Sequence, residues 1–170
     1  RKAIEGRGNM AAGYAGASSA GSHGDYRQAV TGSQLPLKEM PRNAKTVILH
    51  TRFTTHGPAS DNRNNHPVQS PDGNIMLTHN GVIWNESSLR HSELREVRDR
   101  LPMVDTSVIP ALLQEQGLEG LTNLQGDAAI AWLDTASGDT LHLARLQSSP
   151  VAYTWLLDGS FVYASTPYHL

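Results

Sequence analysis

Two short stretches of this chain carry the residue types that polar chemistry uses: His50-Thr51-Arg52-Phe53-Thr54-Thr55-His56-Gly57 and His79-Asn80-Gly81. In the first, the β-branched apolar run Thr46-Val47-Ile48-Leu49 reads as a buried strand that delivers Arg52 to a sheet edge. A guanidinium held there is a rigid fork matched to a carboxylate, although a solvated arginine or a structural ion pair fits the spacing equally well. In the second, an amide side chain sits beside a glycine N–H, the two kinds of donor that an oxyanion needs. An ordinary Asn-Gly turn is the plainer reading of that pair. A third stretch, Val104-Asp105-Thr106-Ser107, sets an acid just ahead of a helical pattern, where it serves as an N-cap or as the acceptor for a ligand ammonium. Against these groups stands an absence: the chain contains no cysteine.

His50, His56, His66 and His79 fall in the same region, and neutral imidazoles with Asp61 or Asp72 nearby are a donor set that zinc accepts. Their spacings of six, ten and thirteen residues match no common structural zinc pattern. No metal site is therefore expected. His91 and His142 read as surface or packing residues, and Trp84, Trp132 and Trp155 are scattered across elements, which suits core positions better than a stacking platform.

The elements that must position these groups follow from apolar periodicity and turn residues. Met10-Ala11-Ala12-Gly13-Tyr14-Ala15 reads as a strand of small residues that lets another backbone approach closely, followed by a loop through Ser22-His23-Gly24. Residues 57–73 form a long polar loop of the kind that often carries function. Asn74-Ile75-Met76-Leu77-Thr78-His79 is a second strand, expected to end in a turn at Asn80-Gly81. Leu89, Leu94, Val97 and Leu101 recur at helical spacing and predict an amphipathic helix or helix pair over 86–101. A further helix is expected over 108–116, tolerating Pro110 in its first turn and stopping at Gly117. Four strands then follow at 128–133, 140–145, 151–156 and 161–164, joined as antiparallel hairpins through Ser137-Gly138-Asp139 and Asp158-Gly159.

The 170 residues, 38% hydrophobic, suffice for one sizeable core. A formal charge of −2 provides no basic field for nucleic acid or an acidic membrane surface, and no apolar run approaches the roughly 20 residues of a membrane span. A cytoplasmic protein that meets small molecules or other proteins is the expectation.

The order of the motifs resembles that of the class II glutamine amidotransferases, the N-terminal-nucleophile (Ntn) glutaminases, and in particular the glutaminase domain of glucosamine-6-phosphate synthase. The matching stretches are Arg7-Gly8 with Ala11-Ala12-Gly13, then residues 50–57, Asn64-Asn65-His66-Pro67, His79-Asn80-Gly81 and Asp105-Thr106. Near the end, Arg145-Leu146-Gln147-Ser148-Ser149-Pro150 is similar to the family's Arg-x-x-Ser-Pro turn. Ala164-Ser165-Thr166 is similar to its Ala-Ser-Asp, with Thr166 in place of the acid.

The resemblance implies an α+β Ntn-hydrolase fold, a four-layer αββα sandwich of two antiparallel sheets flanked by helices, over a single domain spanning 1–170. It implies that Arg52 binds the α-carboxylate of L-glutamine and Asp105 its α-ammonium, that Phe53, Thr55 and His56 line the pocket, and that Asn80 and Gly81 hold the oxyanion. Arg7 and Gly8 would position the backbone bearing the nucleophile. No cofactor is implied. Ammonia would pass to a synthase domain or acceptor protein, on another domain or chain, and a homo-oligomer is compatible with the family. The family's nucleophile is a Cys at the very N-terminus, on a first strand ahead of the Arg-Gly motif. We therefore expect that strand, and a C-terminal piece, to lie outside the 170 residues. The alternative is an inactive Ntn-like module with a binding, structural or assembly role.

Overall fold

The computed structural model describes residues 8–54 and 56–170. Two sheets form its centre, and their alternating side chains show how they stack. Strands β1 (Ala11–Ala17), β2 (His23–Gln28) and β3 (Thr46–Arg52) make an antiparallel sheet in the order β2-β1-β3. The second sheet has the order β4-β5-β6-β7, from Val68–Gln69, Ile75–Ile83, Gly126–Asp134 and Leu141–Leu146, again with antiparallel pairing throughout. A separate hairpin joins β8 (Ala152–Trp155) to β9 (Phe161–Ala164).

Successive side chains of a strand point to opposite faces, and here both faces of each central strand are used. Ala15 and Ala17 of β1 and Ile48 of β3 meet Met76 of β5 and Ala131 and Leu133 of β6, forming the core between the two sheets. The intervening Ala12 and Tyr14 face the other way, onto Leu35 and the short 3-10 turns Gly32–Gln34 and Leu37–Glu39. On β5 and β6 the residues of opposite parity, among them Leu77, Ile130 and Trp132, pack on helices α1 (Glu86–Ser92) and α2 (Val108–Gln116). The resulting order is 3-10 turns, sheet, sheet, helices. These are four layers, as expected of an αββα sandwich, with the fuller helical layer on the β4-β5-β6-β7 side. Each large aliphatic side chain buried in these cores contributes about 1.5–3 kcal/mol.

Helix α2 occupies the expected residues. Pro110 lies in its first turn, where a missing N–H costs nothing, and Gly117 closes it at φ 63°. The helical pattern over 86–101 resolves into α1 followed by a 3-10 turn, Arg98–Arg100. Leu89, Leu94, Val97 and Leu101 are nevertheless all buried in one core, because each turn keeps the same side inward.

Three sequence expectations are corrected. Residues 23–24 belong to β2 rather than to a loop. The four late strands divide between two sheets, β6 and β7 joining β5 while β8 and β9 stand apart. Most consequentially, Asn80-Gly81 does not turn the chain: β5 runs on to Ile83 in continuous register with β6, with Gly81 opposite Ala128. Gly81 takes φ 140°, and a Cβ there would lie 1.9 Å from the Asp127 carbonyl oxygen. Close approach of two strands, not a turn, is what requires glycine at this point.

Candidate active site

One cavity of about 710 Å³ opens where the ends of β3 and β5 converge, and Arg52, Phe53, Asn80, Gly81 and Asp105 all line it. Arg7 and Thr55, both expected near the site, lie outside the described residues.

Arg52 is the last residue of β3 and is 3% exposed. Its Nη1 donates to Asn65 Oδ1 at 3.0 Å, and its Nη2 donates to the carbonyls of Gly57 (3.0 Å) and His56. These acceptors are neutral, and among the described residues no carboxylate lies within ion-pairing distance of the guanidinium. Burial pushes its pKa down, an effect opposed by the charge of Asp105. It stays cationic all the same, because an arginine keeps its proton. The site therefore holds a desolvated cation with no anion in contact among the described residues.

Asp105 is the mirror of that situation. It opens the 3-10 turn Asp105–Ser107, is 5% exposed, and makes no ion pair among the described residues. Its carboxylate caps no helix; Oδ2 accepts from the Ile83 N–H of β5 at 2.9 Å. The segment that carries it is fixed from α1, where Arg90, paired with Glu86, donates to Ser107 Oγ at 2.7 Å.

The Ile83 bond also settles which way β5 aims its donors. Backbone N–H groups of a regular antiparallel strand alternate between its two edges. The Ile83 N–H points away from β6 toward Asp105, so the Gly81 N–H, two residues earlier in the same register, leaves by that same edge. β4 covers that edge only at Met76 and Leu77. Among the described residues the Asn80 side chain makes no hydrogen bond, so an amide and a backbone N–H are both open to a ligand here.

The other expected residues are placed as follows. Phe53 lines the cavity and is 65% exposed. His56 departs from expectation: its side chain is exposed and outside the cavity lining, and what reaches the site is its carbonyl, which holds Arg52. The bend after β3 turns the imidazole outward. Gly8 is buried against β3, where a Cβ would come within 2.5 Å of the Arg52 carbonyl carbon. Among the described residues no group of three or more histidine or acidic side chains is arranged to hold a metal.

Sequence reasoning gave Asn65 no role of its own, weighed His66 only as a zinc donor and read Thr106 only as an alternative to Asp105 for capping the helix over 108–116. Asn65 is fully buried; besides accepting from Arg52 it donates to the Ala59 carbonyl at 2.7 Å, which ties the polar loop to the arginine. His66 and His79 are also buried, and both are within hydrogen-bond distance of Thr106 Oγ1. Burial pulls the pKa of each below the ordinary histidine value. His50, His79 and the nearby arginines add to this at His66, while Asp105 opposes it at His79. The signal was present in Asn64-Asn65-His66-Pro67, a motif within the long polar loop, but only the folded chain reveals that it is buried and what it touches.

A family profile for the glutamine amidotransferase domain matches residues 38–170. The chain belongs to that family. Among curated relatives, glutamine–fructose-6-phosphate aminotransferase (isomerizing) of Geobacillus kaustophilus is 37% identical over 133 residues, covering 72% of this chain and 22% of that protein. The Bacillus subtilis enzyme of the same name is 34% identical over 155 residues, covering 85% of this chain and 26% of its own length. The amidotransferase domain thus spans about a quarter of these relatives.

Two solved structures share its fold at 18% identity, each matched over 96% of this chain and 37% of theirs. One is glutamine phosphoribosylpyrophosphate amidotransferase from B. subtilis complexed with ADP and GMP, at a TM-score of 0.72. The other is described as the allosteric regulatory enzyme of purine biosynthesis, at 0.77. The domain is of class II, the Ntn type, and domains of this kind act on glutamine. Among the described residues no helix is long and apolar enough to cross a membrane.

Proposed function

We propose that this domain binds L-glutamine and hydrolyses its side-chain amide, releasing ammonia for transfer to an acceptor. The observation that carries the reading is the pair of buried, mutually separate charges in one cavity: among the described residues, Arg52 has no anion in contact and Asp105 no cation. A buried charge is costly unless matched. A free α-amino acid brings a carboxylate and an ammonium on one carbon and matches both at once. With its α-carbon held there, the side chain of the ligand extends along the cavity. Asn80 and the Gly81 N–H are the donors that would receive the oxygen of a tetrahedral intermediate, and preorganised donors of this kind stabilise such an oxyanion strongly.

The chemistry then needs a nucleophile. On this reading a Cys-bearing strand preceding Arg1 supplies a thiolate, with the α-amino group of that Cys as general base. The thiolate adds to the amide carbon, the oxyanion forms at Asn80 and Gly81, and the amide nitrogen leaves as ammonia after taking a proton. Water then cleaves the glutamyl thioester to glutamate and free thiol. Support for a strand at this place comes from the cavity's walls. β3 and β9 are the outer strands of their sheets among the described residues, both line the cavity, and β5, β6 and β7 contribute to its floor. Given the relatives' names, the acceptor is proposed to be a sugar phosphate handled by a synthase domain in the same assembly, with self-association of the whole protein.

The test is glutamate release by the full open reading frame, compared with a variant whose first Cys is alanine. Release by the parent and none by the variant is expected. Release that survives the replacement refutes the mechanism, and an open reading frame with no such Cys leaves the binding module as the surviving reading.

A further inference from the structure

We propose that Thr106 is a positioning residue whose hydroxyl joins two buried histidines, passing the proton position of one to the other, and thereby registers the three elements that carry the ligand contacts. The inference rests on the glutamine-binding reading above and adds to it a residue to which that reading gives no part.

The hydrogen-bond directions follow from what each atom can do. His79 Nε2 lies 3.4 Å from the Asp127 carbonyl oxygen, which only accepts, so Nε2 carries the proton. In the neutral ring Nδ1 is then a bare acceptor, and Thr106 Oγ1, 3.0 Å away, must donate to it. Having spent its single proton, that oxygen can only accept from His66 Nε2 at 3.1 Å, so His66 also carries its proton on Nε2. The chain ends at His66 Nδ1, a buried acceptor with no hydrogen-bond partner among the described residues, in a ring lying 4.3 Å from that of His50. The Asp127 carbonyl therefore fixes the proton on His79, and the Thr106 hydroxyl passes that choice on to His66.

The sequence neighbours of the three residues give the arrangement its consequence. His79 precedes Asn80 on β5, Thr106 follows Asp105, and His66 follows Asn65, which holds Arg52. From the same oxygen, the proposed ammonium acceptor Asp105 is thus one covalent step away, Asn80 one hydrogen bond and one step, and the proposed carboxylate fork Arg52 two hydrogen bonds and one step. Removing that oxygen leaves a buried acceptor on His79 and a buried donor on His66. The three contact groups are then free to drift relative to one another.

The experiment uses the full-length protein with Thr106→Val, which keeps shape and removes the hydroxyl, and Thr106→Ser, which keeps it. Imidazole ¹⁵N shifts report the protonated nitrogen directly. We expect His66 and His79 of the parent to be Nε2-protonated, T106V to lose that single assignment at His66 while the Asp127 carbonyl keeps it at His79, and T106S to restore it. Alongside, KM for glutamine should rise about tenfold or more in T106V and recover in T106S, as for a lost buried hydrogen bond. A parent His79 protonated on Nδ1 overturns the proposal whether or not T106V folds, and so does a folded T106V with parental tautomers and KM. A protein with the expected tautomers but no glutaminase activity refutes the glutaminase reading instead, so the two failures are distinct.

Discussion

Replacing Arg52 by lysine is the most direct probe of the proposed carboxylate fork. Lysine retains the positive charge, so the cavity keeps its electrostatic character, but it loses the planar pair of N–H groups. In the native site three protein acceptors, Asn65 Oδ1 and the carbonyls of Gly57 and His56, take guanidinium protons from the two Nη atoms. An Nη1–H and the Nε–H remain for a ligand. A single ammonium cannot satisfy the protein acceptors and a carboxylate together. A hydrogen bond to a charged group contributes about 1.5–3 kcal/mol, so losing one ligand contact should weaken binding by about tenfold to a hundredfold.

The assay is calorimetric titration of the full-length protein with its proposed Cys replaced by alanine, using L-glutamine and 4-aminobutanamide, which lacks only the carboxylate. The parent should prefer glutamine, and Arg52→Lys should shrink that preference by the same factor while binding of 4-aminobutanamide changes little. A variant that weakens both ligands equally would show that Arg52 acts through the fold, not through the carboxylate. Unchanged glutamine affinity would refute the assignment outright.

Asp105→Asn should weaken glutamine binding by a comparable factor but leave thermal stability close to that of the parent, because an amide oxygen can still accept from the Ile83 N–H; a large drop in Tm would contradict this. Gly81→Ala should lower Tm and abolish glutamate release, since its Cβ would meet the Asp127 carbonyl oxygen at 1.9 Å and φ 140° is unfavourable to any side chain. For His66 and His79 the folded pKa lies below the ordinary 6.5. The unfolded chain therefore takes up protons below about pH 6.5 that the folded one refuses, and stability falls as pH drops, by up to about 1.4 kcal/mol per pH unit for each ring. Urea denaturation at pH 7 and pH 5 should show this loss, and His66→Gln should flatten the slope. Finally, Leu112→Ala, at a fully buried position of α2, should cost about 2–5 kcal/mol in the same denaturation assay.

How much of this was legible in the chain depended on whether a residue's reason for being there was local. Helix α2 could be placed because Pro110 and Gly117 act within a turn of themselves. Arg52 and Asp105 stood out as charges next to apolar runs, and both are buried and line the same cavity. β2 was missed because His23-Gly24-Asp25-Tyr26-Arg27-Gln28 is a half-exposed outer strand with little apolar alternation. Asn80-Gly81 was misread for a deeper reason: the sequence cue for a turn and for a close strand crossing is the same glycine. Only the Asp127 carbonyl, 46 residues further on, distinguishes them. Thr106 was the least legible of all, a residue that reads as a helix-start hydroxyl and turns out to face two histidines distant in sequence. The pattern has a physical cause. Single residues announce their charge and their backbone preferences, whereas a hydrogen-bond chain exists only between partners, and its direction is set by the one carbonyl at its end that cannot donate.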